Sequence, residues 1–181
     1  MKDVNEVFSE LEKMGVIDVG HTNGTLRDHL LGTYNILRRW NCSEELCLAG
    51  LCHSIYGTES FQKQTISLNK RNEIRELIGE EAEALVYYFG AHVKEHFWNL
   101  LDRSDNFEIL DRFIGETTFV SFAQISDLVT LTLANWLEQR PRVDEKYLYL
   151  RKEEFTASER FLPAEAYRDF KLAYQLNEER E

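Results

Sequence analysis

Residues 25–40 read TLRDHLLGTYNILRRW, and Leu26, Leu30, Thr33, Ile36, Leu37 and Trp40 fall at the three- and four-residue intervals of one helix face. Thr25 followed three residues later by Asp28 is a capping-box pattern that marks where this helix starts. His29 lies on the apolar face. Just downstream, Ser43 with Glu44 and Glu45 opens a further helix, on which Leu46, Ala49, Gly50 and His53 share one side before a break near Gly57.

The same period extends outward in both directions. Val4, Phe8, Leu11 and Met14 form an amphipathic helix that stops before Gly15. A short charged helix runs from Leu68 to Ile78 and is closed by Gly79, and EEAEALVYYFG starts another with Ala82, Leu85, Val86 and Phe89 inward. Ser121 caps a long helix carrying Phe122, Ile125, Leu128, Val129, Leu131 and Trp136, stopped by Pro141. Pro163 opens a last one with Tyr167, Phe170, Ala173 and Tyr174 inside. Between these, FEILDRFIGETTFV reads equally as a short hairpin or an ordered loop. The expected fold is all-α, with room for a small hairpin insertion near 106–120.

The 181 residues suit one domain spanning 1–181, and with 43% hydrophobic and 29% charged residues the chain is of ordinary globular composition. Two prolines and nine glycines are too few for the turns of an all-β sandwich or barrel. A net charge of −11 repels phosphate backbones, which argues against a nucleic-acid partner. No apolar run approaches the length of a membrane span, and the acidic N-terminus lacks the layout of a signal peptide. Cys42, Cys47 and Cys52 match neither a redox pair nor a zinc ribbon and are expected as free thiols. A soluble cytoplasmic protein with no membrane partner is the expectation, with a homodimer open as an assembly.

Three residues suggest chemistry. His29 and His53 lie on the apolar faces of successive helices, and Asp127 stands in the second turn of the long helix that follows. Two neutral imidazoles and a carboxylate can hold a divalent cation, and a buried carboxylate calls for a compensating positive charge. The plainer alternative is that both histidines are hydrogen-bonded core residues and that Asp127 pairs with an arginine or caps a backbone. His92-Val93-Lys94-Glu95-His96 matches HxxEH, a zinc-peptidase motif, but chance or helix-end capping explains so short a match better. His21 either lines the same pocket or faces solvent, and Tyr56 and Lys63 are candidate substrate contacts.

DHLLGTYNILRRW (28–40), LCLAGLCHSIYGTES (46–60), GEEAEALVYYFG (79–90) and FAQISDLVTL (122–131) together resemble the HD-domain superfamily of metal-dependent phosphohydrolases. The hydrolase domain of the alarmone (ppGpp) synthetase/hydrolases is the most similar in feel. The resemblance spans roughly residues 21–140 and leaves 141–181 as a C-terminal helical extension. It implies an HD-like helical bundle in which His29, His53 and Asp127 hold one divalent ion (Mn, Fe or Zn), with His92 and His96 as additional candidate ligands. It also implies hydrolysis of a small phosphorylated molecule or nucleotide, with Glu59 or a nearby histidine taking the proton. The chain departs from the family at Ser54, which stands where the family has the aspartate of its His-Asp doublet, and the acidic pair that follows gives way to Gly57 and Thr58. Two alternatives therefore stay open. One is an HD-fold non-haem iron oxygenase to which His92 and His96 contribute; the other is a catalytically inactive HD-like module that binds a ligand or partner.

Overall fold

The computed structural model describes residues 3–16, 20–21, 24–103 and 105–176. In chain order they form α1 (Val4–Lys13), β1 (Gly20–His21), β2 (Gly24–Thr25), α2 (Leu26–Arg39), α3 (Glu44–Cys52), α4 (Arg71–Ile78) and α5 (Glu80–Ala91). There follow α6 (Lys94–Leu100), β3 (Phe107–Asp111), β4 (Glu116–Val120), α7 (Phe122–Gln139), α8 (Lys152–Ala157) and α9 (Ala164–Ala173). The molecule is mostly helical. Among the described residues no helix is long and apolar enough to cross a membrane.

The helix starts follow from side-chain chemistry. Thr25 Oγ1 accepts from the Asp28 amide at 3.1 Å and donates to its carboxylate at 2.6 Å, and Ser43 Oγ accepts from the Leu46 amide at 3.1 Å. Ser121 and Gln124 complete a reciprocal capping box at the start of α7. Each such cap contributes about 1 kcal/mol by giving an end N–H its missing acceptor. α2 packs on α3 and α7, and α3 packs on α5, around a core in which Leu30, Leu37, Leu51, Ile55, Val86, Leu128 and Leu131 are fully buried. The candidate metal ligands His29, on α2, and His53, just after α3, are thus carried by well-packed helices.

The segment at 106–120 is a hairpin: β3 and β4 pair antiparallel from Phe107 opposite Val120 to Asp111 opposite Glu116. Phe107, Ile109 and Asp111 alternate inward. Two short helices, α6 and α8, are structure that periodicity did not announce. The first of them overturns the HxxEH reading, because His92 leaves α5 with extended backbone (ψ 140°) and Val93 leads into α6. The two histidines therefore belong to different elements. Glu83 is a further departure: on α5 it is fully buried, held by Arg71 at 2.6 and 3.0 Å, by Arg75 at 2.9 Å and by the Tyr56 hydroxyl at 3.1 Å. Arg71 and Arg75 of α4 thus serve this carboxylate, while Lys70 pairs with Glu73 at 3.4 Å. Cys42, Cys47 and Cys52 are free thiols.

Candidate functional site

A pocket of about 370 Å³ opens where α2, the end of α3, α5, α6, α7 and α8 meet. His29, His53, Asn135 and Gln139 are among its polar lining residues, and Phe89, Trp98, Trp136 and Phe155 among its aromatic ones. The volume falls within the usual range for small-molecule sites.

The two histidines meet through their Nε2 atoms, 3.0 Å apart, with the rings edge to face. Their outer nitrogens are fixed by other groups. His53 Nδ1 lies 2.8 Å from the Gly50 carbonyl, which can only accept, so Nδ1 carries the proton. His29 Nδ1 contacts the carboxylate of Glu138, which also accepts from Arg142 Nη2 at 2.7 and 2.5 Å. Burial alone would raise the Glu138 carboxyl, but the hydrogen bonds from His29 and Arg142 outweigh it and hold the group below its ordinary value. It stays ionised and accepts from His29. Both Nδ1 atoms thus face acceptors, which leaves the two Nε2 atoms facing each other.

A third acceptor joins them. Asn135 Oδ1 lies 3.0 Å from His53 Nε2, and its amide is oriented by Gln139 one helical turn later, whose Nε2 donates to Asn135 Oδ1 at 2.9 Å and to the Asn135 carbonyl at 3.2 Å. A proton shared between the rings answers the His29 to His53 contact. A cation answers both this contact and that of His53 with Asn135. The outer arrangement also suits a metal, since ligating histidines as a rule donate their other N–H to a carboxylate or a backbone carbonyl. Among the described residues no three His, Cys, Asp or Glu side chains gather into a metal-holding group. The donors that meet there are His29, His53 and the amide oxygen of Asn135, a set with no carboxylate to balance a cation's charge.

Asp127 does not join the histidines and does not line the pocket. It precedes Asn135 by eight residues on α7, about 12 Å along the axis and a fifth of a turn around it. Its carboxyl is pushed up to about 6, first by burial and then by the charges of Glu45 and Glu81. Tyr56 does not line the pocket either, since its hydroxyl donates to Glu83. Lys63 is exposed and outside the pocket, and His96 Nε2 bonds the Glu108 carbonyl at 2.7 Å. The side chain of His21 lies outside the described residues. Glu59 does line the pocket, but its Oε2 accepts from the Lys94 amide at 2.9 Å and so caps α6.

His92 lines the pocket too. Burial drives its pKa down to about 4, and its Nδ1 donates to the Tyr88 carbonyl at 3.2 Å, so at neutral pH its ring is an uncharged acceptor. Ser54 lines the pocket with its Oγ buried and, among the described residues, without a hydrogen-bond partner. Beyond the histidines, Trp136 Nε1 donates to the Tyr174 hydroxyl at 2.5 Å, which donates to the Leu150 carbonyl at 2.6 Å. This relay joins α7 and α9 to the pocket wall at Leu150.

Residues 10–93 match the model of a family described as a domain of unknown function, DUF6817. The match includes His29, His53 and His92 and ends before Asn135 and Glu138. No curated protein and no solved structure matches the chain.

Proposed function

We propose that this chain is an HD-like domain that holds one divalent transition-metal ion through His29, His53 and Asn135, and that it hydrolyses a small molecule bound in the adjoining pocket. The observation that carries this reading is the meeting of the His29 and His53 Nε2 atoms and the Asn135 amide oxygen at 3.0 Å steps. When bound, a divalent ion there supplies a Lewis acid and lowers the pKa of a coordinated water. The chain's own residues do the rest. Glu138 and the Gly50 carbonyl aim the two imidazoles, and Gln139 aims the amide. Phe89, Trp98, Trp136 and Phe155 limit water at the site. His92, neutral at physiological pH, accepts a hydrogen bond from a water or hydroxyl in the pocket.

A second reading is a ligand-binding module without turnover, and a specific observation favours it. Ser54 stands where the resembled family has an aspartate, and the third donor is an amide, so neither is a carboxylate. The iron-oxygenase alternative relied on Asp127 as its carboxylate, and Asp127 lies off the pocket.

Titration of the metal-free protein with Zn(II), Mn(II) and Fe(II) tests the proposal. One equivalent should bind wild type, none should bind His53→Ala, and Asn135→Ala should bind about 10-fold to 100-fold more weakly. Asp127→Ala should bind as wild type does. No binding to wild type, or loss of binding in Asp127→Ala alone, overturns the site. Metal binding without release of product from any phosphate or carboxylate ester would select the second reading.

A further inference from the structure

α6 and α8 bring the same pair of side chains to the pocket. Each pair is a cation followed four residues later by an aromatic ring: Lys94 and Trp98 on α6, Arg151 and Phe155 at the start of α8. All four line the pocket. Lys94 and Trp98, four apart, share a face of α6, whereas Arg151 precedes the first turn of α8 and reaches across to the ring on α6. Trp98 and Phe155 meet edge to face with centroids 5.3 Å apart, and the Arg151 guanidinium lies 5.6 Å from the Trp98 ring centre.

Charge at this wall runs against the chain as a whole. The net charge is −11, yet Glu59 is the only carboxylate among the described residues lining the pocket, against Lys94 and Arg151. Burial and the neighbouring Arg151 charge hold the Lys94 amine below its ordinary range. Glu154 pairs with Arg151 at 2.6 Å from outside the lining. Two cations drawn together beside apolar rings repel, and an anion between them removes that repulsion.

The backbone gives independent support. Arg151 has φ 64° and ψ 18°, a left-handed conformation in which an L side chain crowds its own carbonyl. Four non-glycine residues have positive φ among the described ones, and two of these are asparagine, which tolerates the conformation better. An arginine held there against local preference, with its side chain in a pocket, points to function.

We infer that Lys94 and Arg151, backed by Trp98 and Phe155, form a binding subsite for a flat aromatic ligand that carries an anionic group, a carboxylate or a phosphate. The inference rests on the pocket being a ligand site, as proposed above, and does not depend on the metal. It also gives the C-terminal segment a role in choosing the ligand.

Titration of the full chain with phenyl phosphate, benzoate, benzyl alcohol and inorganic phosphate tests it, read by tryptophan fluorescence and calorimetry. At least one aromatic anion should bind about ten-fold tighter than benzyl alcohol, and more tightly than inorganic phosphate. The tighter of the two identifies the headgroup. Arg151→Asn, which suits the left-handed backbone, and Lys94→Gln should each weaken that anion about ten-fold and leave benzyl alcohol unchanged. Both variants should still bind Zn(II) as wild type does, which separates this subsite from the histidine site. The inference is overturned if neither anion binds at millimolar concentration, if benzyl alcohol binds as well as the anions, or if Arg151→Asn leaves anion binding intact. Anion binding in a protein that binds no metal would instead remove the hydrolase proposal and keep the subsite.

Discussion

A Cβ at Gly32 would lie 2.7 Å from Cγ of Glu138 and 2.9 Å from its Oε1, so α2 is notched where the carboxylate of α7 passes to reach His29. Any other side chain at 32 would occupy the space that Glu138 uses. The orientation of His29 thus depends on the absence of a methyl group one turn further along its own helix.

Gly32→Ala should weaken divalent-metal binding by about ten-fold, because it displaces the group that fixes His29. Its effect on stability should be small, since alanine favours the helix by about 1 kcal/mol and the contact with Glu138 opposes this. Metal titration beside a thermal melt separates the two effects. Unchanged affinity would show that Glu138 does not hold His29 for a ligand.

Ser54→Asp should tighten metal binding and lower the stability of the metal-free protein. The buried, unpartnered Ser54 Oγ marks where the new carboxylate would sit, and an ionised group there costs roughly 2 kcal/mol or more until a cation balances it. Added Zn(II) should restore the melting temperature, since a ligand stabilises the state that binds it. A variant that is destabilised and gains nothing from metal would place Ser54 away from the histidine site.

Asp127→Asn should stabilise the protein at pH 8 and have little effect at pH 4. The carboxyl is raised to about 6 in the folded chain against 3.8, so the folded state binds the proton more tightly. Its contribution is full below pH 4 and is lost as pH rises through 6. Allowing for solvent screening, the asparagine should gain about 1 kcal/mol at pH 8. Urea melts of both proteins at the two pH values measure this, and equal stability at pH 8 would contradict it.

The helix starts at Thr25, Ser43 and Ser121 were legible because a cap is a local event: the acceptor and the amide it serves lie within three residues. His29 and His53 were legible for a related reason, as polar groups set into apolar faces of period 3.6. Asn135 was not, because an amide carries no charge that burial must balance, so nothing in the sequence flags it. Asp127 stands out in the same helix by its charge, but it lies outside the pocket, eight residues before the amide that meets His53. Glu138 lies past the apolar run and reads as surface, since its burial depends on Gly32 of another helix and on Arg142 one turn later. Arg151 is the extreme case: neither its left-handed backbone nor its place over Trp98 has any local signature.

One hydroxyl near the C-terminal end of the described chain has wider reach. Tyr174 receives from Trp136, one residue beyond Asn135, and donates to Leu150, one residue before Arg151. It works as a clasp between the helix that bears a proposed metal donor and the strap that bears a proposed anion contact. Opening it would leave the histidine pair on its packed helices and let the far wall swing. Arg151 and Phe155, half of the proposed anion subsite, are therefore anchored apart from the proposed metal donors, and changes in their stretch bear on the far wall of the pocket rather than on the histidine pair.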